Sequence, residues 1–206
     1  MNKIPLSVVI LTKNEEENIR ACLESVYGWA AEIIVVDDES TDQTVVIARQ
    51  FTDRIYLRRM ENEGWHRNWA YAQANQEWVL SLDADEMVSS ELKDEISKAL
   101  STTDCHALSI PLRNYIGQHW VRYNGWYPAS KLKLFRKGRF HYEEVDVHPR
   151  AFVDGKTGEL TQDIIHKVHT DFAGFLNSVN RQSTLEAKKW LRTAQNMTTG
   201  AFFDER

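Results

Sequence analysis

The sequence contains few cysteines and no long apolar segment. Cys22 and Cys105 are the two cysteines among 206 residues. They have neither the spacing of a metal site nor the context of a catalytic thiol, so we expect both to be reduced thiols in the core. No apolar run approaches membrane-spanning length, and residues 1–5 lead into an apolar segment without a signal-peptide pattern. These absences argue against a disulfide scaffold and predict a cytoplasmic protein.

Glycine and proline are also scarce, with nine and four residues respectively. No linker rich in Gly, Pro or Ser divides the chain, and no internal repeat or low-complexity segment is present. Hydrophobic residues make up 42% of the sequence, which is enough to fill a substantial core. The chain is therefore expected to form one ordinary domain, or a domain with a subdomain.

Charge is distributed unevenly along the chain. Residues 1–112 carry 20 acidic and 10 basic side chains, whereas residues 113–206 carry 10 acidic and 15 basic ones. Residues 113–139 contain seven Lys or Arg, no acid and several interleaved aromatic residues. Such a segment suits an anionic lipid-linked or phosphorylated glycan, or a nucleic acid. Alternatively, the aromatic residues pack the subdomain and the cations are merely solvated.

The most informative motif is the apolar run 78–82, which ends in Asp83-Ala84-Asp85. A buried parallel strand presents its ligands at its carboxyl end, so both carboxylates are expected together at a sheet edge. A divalent cation and nucleotide phosphates bind at such an edge. An acidic turn that simply ends a strand is the alternative interpretation.

Two further segments repeat this pattern. Residues 6–11 and 32–36 are apolar, end in polar residues and precede segments with helical spacing. A helix that begins where a strand ends offers free amides to an anion. Three such strands predict a doubly wound sheet that collects a ligand at one edge. The same patterns predict helices at 15–26, 41–51, 65–75, 89–100 and 172–193, the last capped by Asp171, and short strands near 107–112 and 131–135.

These motifs, in this order, resemble the GT-A domain of family 2 glycosyltransferases. The resemblance begins with residues 7–15, 37–42 and 82–86. Further matches narrow it to small bacterial members similar to lipopolysaccharide-core glucosyltransferases, and they lie at residues 133–138, 142–149 and 163–166. The resemblance covers about residues 5–187. It implies an α/β GT-A fold, with a Rossmann-like, mostly parallel central sheet flanked by helices and a smaller acceptor-side region.

The resemblance also implies sugar transfer from a nucleotide-sugar, usually UDP-linked, with help from a divalent metal. We expect residues 1–112 to form the nucleotide-sugar-binding half, and residues 113–206 the acceptor-binding and C-terminal helical half. Asp85 is the expected metal ligand, and Asp83 contacts ribose or reaches the metal through water. Mg²⁺ and Mn²⁺ both accept oxygen ligands, and the sequence does not choose between them.

Other donor-site residues are assigned by the same resemblance. Thr12 and Glu15 are expected to line the nucleotide pocket. Asp38, ahead of Asp37, is expected to accept hydrogen bonds from uracil or ribose, although an acid here also suits a helix cap. Arg67 matches a basic position that contacts the donor diphosphate, and a plain surface arginine is the alternative.

The acceptor hydroxyl must lose a proton as it attacks. Glu143-Glu144 is an acidic pair soon after the basic aromatic segment, so we favour Glu144 as the base, then Glu143, with Asp146 third. Adjacent carboxylates on a strand point to opposite faces, so only one of the pair can face the site.

Two histidines are candidates for the metal or the donor phosphates. We favour His148 as a further metal ligand over His166, although a lone histidine is more often structural. From the basic segment, the expected acceptor-binding residues are Lys131, Lys133, Arg136 and Trp126.

The sequence thus predicts an inverting, metal-dependent glycosyltransferase that moves a hexose to a hydroxyl of a cell-envelope glycan or a lipid-linked precursor. Expected partners are a nucleotide-sugar and an anionic acceptor, with peripheral contact at the inner membrane face and no nucleic acid. A nucleotidyltransferase is one alternative, but its nucleotide loop would be rich in Gly, and residues 11–15 contain none. A noncatalytic module that binds glycan or nucleic acid through residues 113–139 is the other. The presence of Asp83, Asp85 and a nearby carboxylate base argues against it.

Overall fold

The computed structural model describes residues 3–145 and 149–200. The amino-terminal part alternates strands and helices as predicted: β1 (Ile4–Thr12), α1 (Ile19–Val26), β2 (Ala30–Asp37), α2 (Thr44–Ala48) and β3 (Ile55–Leu57). The middle of the chain forms α3 (Glu63–Ala72), β4 (Trp78–Asp83), β5 (Glu86–Val88), α4 (Ser90–Thr102), β6 (Ala107–Ile110), β7 (Leu112–Ile116) and β8 (His119–Trp120). The last part forms β9 (Lys131–Arg136), β10 (Phe140–Tyr142), β11 (Ala151–Val153), β12 (Thr157–Glu159), β13 (Ile164–His169) and α5 (Phe172–Gly200).

Seven strands form the central sheet, in the order β12-β6-β9-β4-β1-β2-β3. All neighbours are parallel except β9, which is antiparallel to β4 and to β6. The register pairs Thr12 with Asp37 and Leu11 with Asp83. The carboxyl ends of β1, β2 and β4 therefore meet at one edge, as the sequence predicted.

A second sheet brings the late part of the chain to that edge. Its order is β5-β13-β7-β8, and β13 pairs antiparallel with β5 so that His166 lies opposite Glu86. β5 begins directly after the acidic motif at the end of β4. This pairing places His166 next to the Asp83–Asp85 motif, although the two are about 80 residues apart in the sequence.

The core has two layers because alternate residues of each strand face opposite sides of the sheet. One layer contains Val8, Ile10, Leu80 and Leu82 together with Ile19 and Leu23 of α1 and Leu92 and Ile96 of α4. The opposite layer contains Val9, Ile34, Val36 and Val79, packed with Tyr71 of α3 and with Phe135 and Phe140. Each fully buried aliphatic or aromatic side chain contributes roughly 1.5–3 kcal/mol to stability. Cys22 and Cys105 are buried and unpaired, as predicted.

Several helix ends differ from the predicted ones because polar side chains hold the adjacent turns. α3 begins two residues early because Asn62 caps it, accepting a 2.9 Å hydrogen bond from the Trp65 amide. α1 begins only at Ile19, since the preceding turn is tied to the first residue of α2 by the 2.8 Å hydrogen bond from the Glu15 amide to Thr44. The predicted cap of α5 is confirmed, because Asp171 accepts from the Gly174 amide at 2.7 Å. Within residues 3–145 and 149–200, no helix is both long and apolar enough to cross a membrane.

Candidate active site

The ends of β1, β2 and β4 open into a cleft of about 590 Å³, a size typical of small-molecule sites. Side chains from these strand ends, from α3 and from α5 line it. Six residues that the sequence assigned to the donor or the metal are among them: Thr12, Glu15, Asp38, Arg67, Asp83 and Asp85. The structure therefore brings together residues that are separated by up to 73 positions in the sequence.

At the β1 and β2 side of the cleft, Asp38 is held as an anion. Its carboxylate accepts from Lys13 Nζ at 2.7 Å and from the Met60 amide at 2.8 Å. Burial raises the pKa of Asp38, but these two hydrogen bonds outweigh that effect and lower it below its ordinary value. Thr12 Oγ1 is buried and has no hydrogen-bond partner among the described residues. A fixed hydrogen-bond acceptor, Asp38, and an unpartnered hydroxyl, that of Thr12, thus lie at the adjacent carboxyl ends of β2 and β1.

Asp37 does not line the cleft. Its side chain is fully buried, and it accepts a 2.8 Å hydrogen bond from the Ser40 amide. It therefore holds the turn that follows β2, and the choice of Asp38 ahead of Asp37 agrees with this placement. Glu15, between β1 and α1, lines the cleft, and burial together with the nearby Asp85 raises its pKa.

Asp83 is enclosed by two cations. Its Oδ1 accepts from both terminal nitrogens of Arg67 at 3.2 Å, and its Oδ2 accepts from Lys133 Nζ at 3.1 Å. Lys133 Nζ also donates to Glu86 Oε2 at 2.7 Å, and the Asp83 amide donates to the same oxygen at 2.9 Å. Burial raises the pKa of Asp83, but Arg67 and Lys133 outweigh it and hold that pKa well below its usual range. These hydrogen bonds hold Asp83, and with it the turn that carries Asp85, in place.

The expectation that Lys133 faces an acceptor was wrong. β9 is an interior strand of the central sheet, between β4 and β6, and Lys133 is only 5% exposed. Its ammonium group contacts the Asp83 and Glu86 carboxylates instead. The position of Lys133 between Leu132 and Leu134, in the middle of the strand, was the available signal of a buried, paired cation.

Asp85 faces His166. His166 Nε2 lies 3.3 Å from Asp85 Oδ2, and His166 Nδ1 lies 2.7 Å from Asn114 Oδ1. Asn114 uses its amide nitrogen to donate to the Trp126 carbonyl at 2.9 Å, so its oxygen accepts from His166 Nδ1. This hydrogen bond fixes the imidazole and directs Nε2 at Asp85. Burial lowers the pKa of His166, but the hydrogen bond to Asp85 outweighs that effect and raises it.

The Asp85 carboxylate is a ligand of the kind that Mg²⁺ and Mn²⁺ prefer, and His166 would add a nitrogen donor beside it when substrate phosphates and water complete the coordination. Among the described residues, no group of three or more His, Cys, Asp or Glu side chains is arranged to hold a metal. Asp83, named as a second ligand, is occupied by Arg67 and Lys133 instead. His148, the favoured histidine, lies outside the described residues, and the structure pairs His166 with Asp85.

The loop that carries the candidate bases packs against the start of α3. The Gly64 amide donates to the Val145 carbonyl at 3.2 Å, and a Cβ at Gly64 would lie 1.7 Å from the Glu143 carbonyl oxygen. Only glycine permits this approach. β10 ends at Tyr142, so the expectation that Glu143 and Glu144 alternate along a strand was wrong. Glu143 is half-buried, Glu144 is exposed and Asp146 lies outside the described residues.

A second hollow of about 290 Å³ lies next to the cleft and shares Lys131 with it. Trp126, Asn114 and His166 line it, and Lys131 lines both cavities. Two of the four expected acceptor residues, Trp126 and Lys131, therefore lie beside the Asp85–His166 pair.

Arg136 is far from both cavities, which corrects its assignment. It pairs with Glu77 and lies 4.7 Å from the centre of the Trp78 ring. Trp78 begins β4 and Asp83 ends it. At about 3.3 Å per residue, these positions are roughly 16 Å apart.

Comparisons with known proteins extend these observations. A family model described as "Glycosyl transferase family 2" matches residues 7–154. The lipopolysaccharide core biosynthesis glycosyltransferase LpsC of Rhizobium meliloti (strain 1021) is 26% identical over 201 residues, covering 94% of this chain and 74% of that protein. The uncharacterized glycosyltransferase RT0209 of Rickettsia typhi is 41% identical over 91 residues, which cover 44% of this chain and 31% of that protein.

Among solved structures, S. aureus TarS 1-349 in complex with UDP matches with a TM-score of 0.60 and 20% identity. The match covers 79% of this chain and 60% of that chain. At this identity the likeness concerns the fold alone. The fold class expected from the sequence, a mostly parallel sheet flanked by helices, is confirmed.

Proposed function

The chain belongs to glycosyltransferase family 2, and from that premise we propose that it moves a hexose from a UDP-linked donor, with inversion, to a hydroxyl of a cell-envelope glycan or lipid-linked precursor. The observation that carries this proposal is the Asp85–His166 pair within the cleft where β1, β2 and β4 end. Family membership sets aside the nucleotidyltransferase and the noncatalytic module.

The donor side of the proposal rests on the strand ends. Asp38 supplies a fixed anionic acceptor for uracil or ribose, and Thr12 supplies a hydroxyl that has no other described partner. TarS, which shares the fold, has been solved with UDP and with UDP-GlcNAc, which supports a UDP-linked donor. The guanidinium of Arg67, at the edge of the cleft, is positioned by Glu63 and Asp83 to meet a diphosphate.

Asp85 and His166 would hold a divalent metal, Mg²⁺ or Mn²⁺. When bound, it would neutralise the negative charge that grows on the departing diphosphate. Neighbouring residues hold these two side chains in place. Asn114 fixes the imidazole, and Glu86, through the Asp83 amide and Lys133, fixes the turn that presents Asp85.

In the proposed reaction, the acceptor oxygen forms a bond to the anomeric carbon while the bond from that carbon to the diphosphate oxygen breaks. The electron pair of the breaking bond leaves with UDP. Attack opposite the leaving group inverts the anomeric configuration. The acceptor proton passes to a carboxylate, for which we propose Glu144, then Glu143, with Asp146 third. The packing of their loop against α3, which also carries Arg67, supports this choice.

The acceptor is proposed to enter through the hollow lined by Trp126 and Lys131. Its aromatic face and its cation suit an anionic glycan. The name of LpsC, a lipopolysaccharide core biosynthesis glycosyltransferase, supports a cell-envelope acceptor. We accordingly keep the proposal of donor-binding residues 1–112 and acceptor-binding residues 113–206, acting in the cytoplasm with peripheral contact at the inner membrane face.

Metal-dependent hydrolysis of nucleotide-sugars tests this function without knowledge of the acceptor. The purified chain is incubated with UDP-, GDP- and TDP-linked hexoses, with Mn²⁺, with Mg²⁺ or with a chelator. We expect slow release of UDP from one UDP-hexose, and we expect the chelator to stop it. Release that is unchanged by the chelator, or turnover of none of the donors, would contradict the proposal.

A further inference from the structure

Helix α5 forms part of the donor cleft, although it follows the acceptor-side strands in the chain. Arg181, Gln182 and Leu185 line the cleft beside Asp38, Arg67 and Asp85. Arg181 and Leu185 are four residues apart and therefore share one face of the helix. The sequence predicted this helix but indicated no role for it.

The beginning of α5 is anchored on the acceptor side. The Phe175 ring packs edge-on against Trp126, with centroids 5.6 Å apart, and lies 6.1 Å from the His169 ring. Arg181 lies six residues further along, about 9 Å at 1.5 Å per residue. The helix thus passes from the acceptor hollow to the donor cleft, and the cap at Asp171 fixes its direction.

Charge identifies what Arg181 is suited to bind. Five carboxylates and four Lys or Arg side chains line the cleft: Glu15, Asp38, Glu63, Asp83 and Asp85, against Lys13, Arg67, Lys131 and Arg181. Two of the cations are already paired, because Lys13 contacts Asp38 and Arg67 contacts Glu63 and Asp83. Across the described residues, neither Lys131 nor Arg181 forms an ion pair with a carboxylate. Within that part of the chain, Lys131 and Arg181 therefore have all their donors available to a new anion, whereas Arg67 shares its nitrogens with Glu63 and Asp83.

We propose that Arg181 binds the diphosphate of the donor and that α5 is a wall of the donor site. This inference rests on the proposed function, since it needs a nucleoside diphosphate in the cleft. Arg181 lines the donor cleft only, whereas Lys131 also lines the acceptor hollow. The planar guanidinium donates two parallel hydrogen bonds to a phosphate, which fixes the donor as well as attracting it.

The test compares ligands with and without the diphosphate. UDP and uridine are titrated against the wild type, Arg181→Gln and Lys188→Gln in the presence of Mn²⁺. Lys188 is an exposed cation on the same helix that does not line the cleft, so its variant controls for net charge. We expect Arg181→Gln to weaken UDP binding about 10- to 100-fold, the size of a charged hydrogen bond. Its uridine affinity should match the wild type, and Lys188→Gln should bind both ligands normally.

Three outcomes would overturn the inference: unchanged UDP affinity in Arg181→Gln, equal weakening of UDP and uridine, or the same UDP loss in Lys188→Gln. Equal weakening would mean that α5 had shifted or that Arg181 contacts the nucleoside. If Arg181→Gln lowers the melting temperature, Arg181→Lys provides the second variant, and it should restore part of the UDP affinity. Failure of the wild type to bind UDP with any metal would instead contradict the proposed function itself.

Discussion

The proposed donor side and the proposed acceptor side of the cleft differ in how firmly their side chains are held. Asp38, Asp83 and Arg67 each make two or more hydrogen bonds or ion pairs to described residues. Lys131 and Glu144 are exposed and carry no described ion pair. A fixed donor site suits a ligand whose nucleotide part is constant. The looser acceptor side implies that acceptor preference depends on a few contacts of about 1–3 kcal/mol each.

The largest effect on UDP binding and turnover is expected from a change at Asp85, on the proposed donor side. Asp85→Asn removes the carboxylate that faces His166, so the Mn²⁺-dependent rise in melting temperature with UDP should disappear. Turnover should fall by on the order of 10³-fold, as for lost electrostatic stabilisation of developing charge. Asp104→Asn, at an exposed pair with Lys156, is the control and should behave as wild type. A UDP shift that survives in Asp85→Asn would rule out this metal ligand.

The second prediction concerns Glu144, the proposed base on the acceptor side. Glu144→Gln keeps the side-chain shape but cannot take the proton. It should bind UDP normally while turnover falls by roughly 10²–10⁴-fold. Glu143→Gln is the matched control because it neutralises the neighbouring carboxylate. Near-normal turnover of Glu144→Gln would move the role to Glu143 or Asp146, and loss of UDP binding would show that the residue is misplaced.

The third prediction compares two cations of one strand. Lys133→Met leaves the buried Glu86 without its cation and should cost about 3–5 kcal/mol of the free energy of unfolding. Arg136→Met, at the other end of β9, removes a partly exposed pair with Glu77 and should cost about 1 kcal/mol or less. Urea unfolding at neutral pH measures both. Equal losses in the free energy of unfolding would mean that the buried Lys133–Glu86 pair contributes no more to stability than the partly exposed Arg136–Glu77 pair.

The smallest effect is expected on the acceptor side. Lys131→Gln should raise the acceptor KM about fivefold, the size of one exposed charge contact of about 1 kcal/mol, and should weaken its salt dependence. The donor KM should change less. Arg136→Gln is the control from the same strand and should leave the acceptor KM unchanged. An effect confined to the donor KM would place Lys131 at the diphosphate instead.

The sequence predicted most of the donor side because a parallel sheet places the ends of its strands at one edge. Thr12, Asp38 and Asp83 each lie where an apolar run ends, and that pattern is local. The strand-end pattern also included Asp85, and the GT-A resemblance added the roles expected of Thr12, Glu15, Asp38 and Arg67. All of these residues line the cleft.

The contribution of residues 113–200 was harder to predict because their placement depends on long-range pairing. His166 reaches Asp85 through the pairing of β13 with β5, which no local pattern specifies. Lys133 and Arg136 were assigned by charge alone, but the insertion of β9 between β4 and β6 buries one and moves the other to the far end of the strand. Arg181 lines the cleft on a helix whose first turn packs through Phe175 against Trp126, a contact that no local pattern specifies.

The central claim is that Asp85 and His166 together hold the divalent metal of the donor site. Titration of UDP against His166→Ala, with and without Mn²⁺, tests it most directly. His119→Ala, at an exposed histidine of β8, is the control. Mn²⁺ should tighten UDP binding in the wild type and in His119→Ala, and it should leave the weaker binding of His166→Ala unchanged. Full Mn²⁺-dependent tightening in His166→Ala would contradict the claim.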